Sequence, residues 1–353
     1  MKWSVDVVPD LKGYTVEWLE PGRVLLSRKN KIYQAATPTS ERQLLGEVTT
    51  GSLKRLASNA RLGQRIARFM VYNALPLSDG SIFVTFDKQL GIIRDGQYQA
   101  LQGVARPFRV LRNACAIGSD GAVYVGEYLD NAERGEMNVY RYAPGSDRAD
   151  VAYTFGAGEV RHIHGVYRDP YTDALWCVTG DGATESRITR THDSFKTLET
   201  VGTGDESWRT VSLLFTKDAV FYASDAEFHD NHIYRLDRRT GERTVLGEID
   251  GPVYYSHAVG DDLFFAVTAE LCPSQKQPVA TLWHVTSEGG IEQVYSVPKD
   301  LVHKNSLTTL FMPGTMHFPS GPGANNETYI HGVSLRGIDN RTLRLHPDRE
   351  ISV

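Results

Sequence analysis

Short apolar runs of three to five residues recur along the chain, each following a turn rich in Gly or Asp. They fall at residues 23–26, 81–84, 122–125, 174–178, 219–222, 262–265 and 328–330. Each is too short for a helix, and most are rich in Val, Ile, Tyr and Phe, so each predicts a strand. A partner strand precedes most of them across a tight turn. Residues 73–77 lead into Ser78-Asp79-Gly80, 113–117 into Ser119-Asp120-Gly121, and 163–166 into Asp169-Pro170-Tyr171-Thr172-Asp173. Two further strands follow in most units, as in 138–142 and 151–154 around Pro144-Gly145-Ser146-Asp147, or 233–236 and 244–246 around Arg239-Thr240-Gly241.

The repeat length is about 40 to 65 residues, with four antiparallel strands per unit. That is the pattern of a propeller blade. Seven runs predict an all-β fold, a single seven-bladed β-propeller domain over residues 1–353. Even spacing favours this ring over two stacked β-sandwiches. The last unit has no fourth strand after residues 341–345, while Trp3-Ser4-Val5-Asp6-Val7 alternates with period two ahead of the first blade. Residues 1–10 are therefore expected to complete blade seven and close the ring, removing the edges that invite aggregation. Residues 51–68 break the strand pattern. Leu53, Leu56, Ala57, Ala60 and Ile66 interleave with Lys54, Arg55, Arg61, Arg65 and Arg68, predicting a helical or loop insertion between blades one and two with a solvated charged face.

Composition narrows the function. Hydrophobic residues at 41% and charged residues at 23% support a packed core. A net charge of −5 without a long basic tract argues against nucleic acid or an anionic membrane as partner. Cys115, Cys177 and Cys272 match no metal spacing. No apolar run reaches the roughly 20 residues of a membrane helix. The first residues carry no signal region, which predicts a cytoplasmic protein, or a secreted one if a leader has been removed.

Blade topology separates the two mouths of the ring. Turns joining first to second and third to fourth strands fall on one mouth and are plain here. On the other, five consecutive blades end their second strand on a carboxylate: Asp87, Glu127, Asp181, Asp225 and Glu270. First strands begin there with Arg112, Arg161, His162, His164, Trp208, Arg209, Tyr254, Tyr255 and His257. Longer loops at 131–136, 182–187 (with Arg187) and 227–232 leave the same mouth, where binding is expected. The bland alternative is a ring of salt bridges between blades. His162-x-His164 places both imidazoles on one face of a strand. With Asp181 or Glu127 such a pair can hold a divalent cation, although hydrogen-bonded histidines and no cofactor are expected.

The stretch Thr191-His192-Asp193-Ser194-Phe195-Lys196-Thr197-Leu198 resembles an Asp box, Ser-x-Asp-x-Gly-x-Thr-Trp, with Phe195 and Leu198 in the Gly and Trp places. On it, and on residues 161–187, the chain resembles the sialidase-like BNR class of propellers, a resemblance specific around residues 120–260. An Asp box is a turn and implies no reaction. Phe108-Arg109-Val110 only faintly resembles the sialidase Phe-Arg-Ile-Pro motif, so sialidase activity is not carried over. The architecture is also similar to that of propeller polysaccharide lyases.

The expected function is cleavage of an acidic, uronate-containing oligo- or polysaccharide by β-elimination. Arg209 or Arg161 would neutralise the uronate carboxylate, His164 or His162 would take the proton, and Tyr254 or Tyr255 would protonate the leaving oxygen. Trp208 would stack on a sugar. Arg112, Glu127, Asp181, Arg187, Asp225, His257 and Glu270 complete the expected binding surface. The alternatives are a glycoside hydrolase using two of the carboxylates and a propeller that only binds glycan or protein.

Overall fold

The computed structural model describes residues 2–286, 289–301, 311–324 and 326–348. Seven four-stranded antiparallel sheets follow one another as the blades of a β-propeller. The strands nearest the axis are Thr15–Glu20, Val71–Pro76, Cys115–Ile117, His162–Arg168, Leu213–Phe215, Val253–Val259 and Thr315–His317, in blades one to seven. Trp3–Val7 pairs with Arg341–Pro347, from Trp3 opposite Pro347 to Val7 opposite Leu343, and supplies the fourth strand of blade seven. The ring is thus closed by its N-terminal strand.

Burial explains why the second strands stood out in the sequence. Neighbouring blades cover both faces of a second strand, so Ile82–Phe86, Leu175–Gly180 and Ala219–Ala223 are buried at every residue. Outermost strands such as Gln97–Ala100 meet solvent along most of their length. Apolar clusters lie between successive blades. One packs Leu75, Phe83, Leu90 and Ile92 of blade two against Val123, Val125 and Tyr140 of blade three.

Four inner strands carry a β-bulge at the equivalent place. The register skips Glu17, Tyr72, His164 and Tyr254, one residue in each of blades one, two, four and six. A bulge adds an unpaired residue and turns its side chain away from the regular alternation. All four bulges lie near the mouth where inner strands begin, so the fold re-aims one side chain per bulged blade there.

Between blades one and two the chain forms two short helices, Ser52–Ala57 and Arg61–Ile66. Lys54 and Arg55 keep the expected solvated charged face, whereas Arg61 and Arg65 turn inward. Arg65 is buried, paired with Asp300 at 2.6 Å and donating to the Phe311 carbonyl. Arg61 pairs with Asp339 at 2.8 Å, while Leu53 and Leu56 face solvent. The charges pin the insertion to blade seven and the stretch after blade six, which satisfies buried polar groups that helix packing alone would leave open. In the turn at 191–198, Asp193 accepts from the Thr197 amide and hydroxyl at 2.9 and 2.7 Å. No helix among the described residues is long and apolar enough to cross a membrane.

Candidate functional site

The mouth where inner strands begin gathers an ionisable cluster from blades three to six. Its centre is Asp181, at the end of the second strand of blade four. One carboxylate oxygen, Oδ1, lies 3.1 Å from His162 Nε2, 3.3 Å from His164 Nε2 and 3.3 Å from Arg209 Nη2. The other, Oδ2, accepts from Arg161 Nη1 at 3.0 Å. Burial alone would raise the Asp181 carboxyl. Hydrogen bonds and charge from the two histidines outweigh it and hold Asp181 far below the ordinary carboxylate range.

The two imidazoles meet, with Nε2 to Nε2 at 3.1 Å. Simple alternation put them on one face. The structure shows His164 as the extra residue of a bulge, which tips its ring toward His162. His164 Nδ1 donates to the Thr210 carbonyl at 2.8 Å, and His162 Nδ1 faces the Leu129 carbonyl at 3.4 Å. Those contacts place each Nδ1 hydrogen on main chain and leave two ring nitrogens and a carboxylate oxygen facing one another. Two ring nitrogens and a carboxylate oxygen that already accepts from Arg209 form a set that can share one incoming proton or hold a metal ion.

His162, His164 and Asp181 also offer ligand atoms within 4.8 Å of one another, a spacing a divalent cation can bridge. Two guanidiniums already occupy Asp181, however. Their charge answers the carboxylate and opposes a further cation there.

Beside Asp181 the charge balance inverts. Arg209 Nε donates to Asp225 Oδ2 at 3.1 Å. Burial, aided by the nearby Glu270 charge and opposed by Arg209, pushes Asp225 up to about 7. Glu270 is likewise raised by burial, and it is hydrogen-bonded to Tyr254. Burial and then the Glu270 and Asp225 charges push the Tyr254 phenol well up, keeping it protonated. The site therefore holds an ionised carboxylate and groups kept neutral within one mouth. Such a split is how a protein provides base and acid at one pH.

Several expected residues are employed elsewhere. Asp87 is neutralised by Lys54 at 2.5 Å and Arg109 at 3.0 Å. Glu127 is fully buried and spent on Arg106, the Asn138 amide and the Tyr140 hydroxyl. Trp208 is sandwiched: a Cβ on Gly202 would lie 2.1 Å from its ring, and the Arg243 guanidinium sits 4.0 Å from its centroid. No sugar can stack on that face. Arg187 lies on an outer strand, 4.0 Å from Glu159. Arg112 is buried in a two-point pair with Glu17 at 2.7 and 3.1 Å. Tyr255 packs edge-on against His317 at 4.9 Å, and His257 stacks on Phe318. The bulge decides between the two tyrosines, since it turns Tyr254 to the mouth and leaves Tyr255 in the stack.

Sequence reasoning missed Tyr128 and Asp130. The Tyr128 ring lies 4.3 Å from that of His162, its phenol pushed up by burial and then by the charges of Asp181, Asp225 and Glu270. Asp130 holds the outer end of Arg161 at 3.3 Å. Both follow Glu127, so reading past the strand-end carboxylate into the loop would have found them.

No family model and no curated relative matches the sequence. Solved structures resemble it in fold. An oligogalacturonate lyase in complex with manganese superposes with a TM-score of 0.63 at 10% identity, over 99% of this chain and 97% of that one. YCF48 bound to D1 peptide gives 0.57 at 11%, over 99% and 96%. The WD40 β-propeller domain of Doa1 gives 0.56 at 11%, over 98% of both chains. The class so defined is the seven-bladed β-propeller. At these identities the likeness is one of fold, and no family match shows BNR or Asp-box repeats in this chain.

Proposed function

We propose that the chain cleaves a uronate-containing glycan by β-elimination at the mouth centred on Asp181. The observation that carries this reading is the convergence of two imidazoles and two guanidiniums on one carboxylate, beside a phenol kept protonated. Elimination from a 4-linked uronate needs the sugar carboxylate neutralised, the adjacent C5 proton removed and the leaving oxygen protonated. Arg161, whose side chain is 36% exposed, is the guanidinium best placed to meet a sugar carboxylate. The His162–His164–Asp181 unit has room for one proton among its three acceptor atoms and takes it from C5, with His162 Nε2 as the receiving atom. Asp181 orients both rings, and Arg209 holds Asp181 and Asp225 apart. Tyr254 supplies the proton to the departing oxygen. The propeller lyase in complex with manganese supports the fold's capacity for such chemistry.

A second reading has its own observation. Ionised Asp181 and neutral Asp225 share Arg209, the arrangement of a glycosidase's base and acid. Product chemistry distinguishes the two. Incubation with polygalacturonate, alginate and glucuronate-containing polymers should yield the ultraviolet absorbance of unsaturated uronates. New reducing ends without that absorbance would establish hydrolysis instead. Binding without either product would leave a recognition module.

A further inference from the structure

The mouth that holds the Asp181 cluster carries a second cavity across the ring, where blade seven, blade one and the helical insertion meet. Its volume is about 380 Å³, within the range of small-molecule pockets. Lys12 enters it from the segment before the inner strand of blade one, Arg28 and Lys29 from the turn after the second strand, and Arg61 from the second inserted helix. Arg112, His317 and His331, each more than nine-tenths buried, form its inner wall.

Charge sets this cavity apart. Lys12, Arg28, Lys29, Arg61 and Arg112 all line it, and among the described residues no Asp or Glu does. Asp339 pairs with Arg61 and Glu17 with Arg112, which leaves Lys12, Arg28 and Lys29 without a carboxylate partner among the described residues. That local excess of cations stands in a chain of net charge −5. The hollow on the other flank of the Arg28-Lys29 turn differs, because Glu47 lies there 3.7 Å from Lys31 and 3.2 Å from Arg55.

The inner wall adds direction. His317 Nε2 lies 2.9 Å from Thr315 Oγ1, while its Nδ1 has no protein partner and keeps accessible surface. The Thr315 hydroxyl can donate to Nε2, which leaves Nδ1–H as a donor. At His331 the order is reversed. The Thr342 hydroxyl donates to the Tyr14 carbonyl and therefore accepts from His331 Nδ1, at 2.9 Å, so His331 Nε2 is left as an acceptor. Burial, and then the charges of Arg61 and Arg112, hold His331 down to about 3. The guanidinium field thus reaches the wall in spite of the carboxylates behind it.

We propose that this cavity is a second binding site, for a small oxyanion that also carries a hydroxyl, either a phosphate monoester or a hydroxy polycarboxylate. Lys12, Arg28 and Lys29 draw in the anionic oxygens, His317 Nδ1–H donates to one of them, and His331 Nε2 accepts from the hydroxyl. The site stands whether or not the Asp181 cluster cleaves a glycan.

Calorimetry at low ionic strength, with inorganic phosphate and citrate as probes, tests this. Saturable one-to-one binding of at least one probe is expected; phosphate alone indicates a phosphate ester as ligand, and citrate alone a polycarboxylate. Reversing two exposed rim charges together, Lys12→Glu with Lys29→Glu, should weaken binding at least tenfold. Lys217→Glu, the same charge change at an exposed turn on the other mouth, should leave it within twofold. Sulfate, which has no hydroxyl, should bind at least fivefold more weakly than the better probe. Absence of saturable binding for both probes would overturn the proposal. So would binding that survives the rim reversals, binding that Lys217→Glu weakens equally, or sulfate bound as tightly as the probes.

Discussion

Replacing Trp3 with alanine should measure how much the closing strand holds the ring. Trp3 is 8% exposed and belongs to the core between blades six and seven, its ring edge-on to Phe264 at 4.8 Å. Truncating a buried Trp costs about 3–5 kcal/mol, and losing an aromatic pair adds about 0.5–1.5. The Trp3 indole N–H has no protein partner, so no acceptor is orphaned by its removal. Unfolding entropy of about 2.1 cal/mol/K per residue, over 353 residues, is about 0.7 kcal/mol/K. The expected fall in Tm is therefore about 5–9 °C, read by circular dichroism. Val7→Ala, on the same strand at 42% exposure, should move Tm by less than about 1 °C. A Trp3→Ala variant melting within about 2 °C of wild type would refute closure by this strand as a source of stability.

Further consequences follow from charge. Asp225 binds its proton more tightly folded than unfolded, so stability should fall as pH rises from about 4 to about 7. Asp225→Asn removes that loss. It should melt higher than wild type at pH 8 and no higher at pH 4, with the gap between 3.8 and about 7 setting a ceiling of about 4 kcal/mol. Arg112→Met strands the buried Glu17 carboxylate and should cost about 3–5 kcal/mol, whereas adding Glu17→Leu should recover part of it. With two guanidiniums already on Asp181, millimolar Mn²⁺ should shift Tm by less than about 1 °C, and chelators should leave activity intact. A cation-dependent Tm or rate would place a metal between His162, His164 and Asp181.

The ring was legible because a second strand is covered on both faces and must be apolar throughout. The seven runs from 23–26 to 328–330 are all second strands of blades. The mouth was legible in outline, because topology sends strand-end carboxylates and strand-start cations to one side whatever their partners. Which of them meet was not legible. Asp87 and Glu127 obey the same positional rule as Asp181, yet Lys54, Arg109 and Arg106 consume them from segments whose place the pattern did not reveal. The choice of Tyr254 over Tyr255 hangs on a one-residue bulge, which no alternation of polar and apolar residues records. The helical insertion misled for a related reason: Arg61 and Arg65 face inward because acceptors wait on blade seven and after blade six, far away in sequence.

The central claim is that His162 and its neighbours remove a proton from a uronate. The most direct test is the rate of unsaturated-uronate formation by His162→Ala beside Trp208→Ala, on whichever uronate polymer the wild type cleaves. Loss of the receiving base should slow the reaction by about 10²–10⁴-fold. The Trp208 variant, altered outside the cluster, should keep the wild-type rate within about twofold. A His162→Ala protein that is folded and forms the unsaturated product at the wild-type rate would contradict the account.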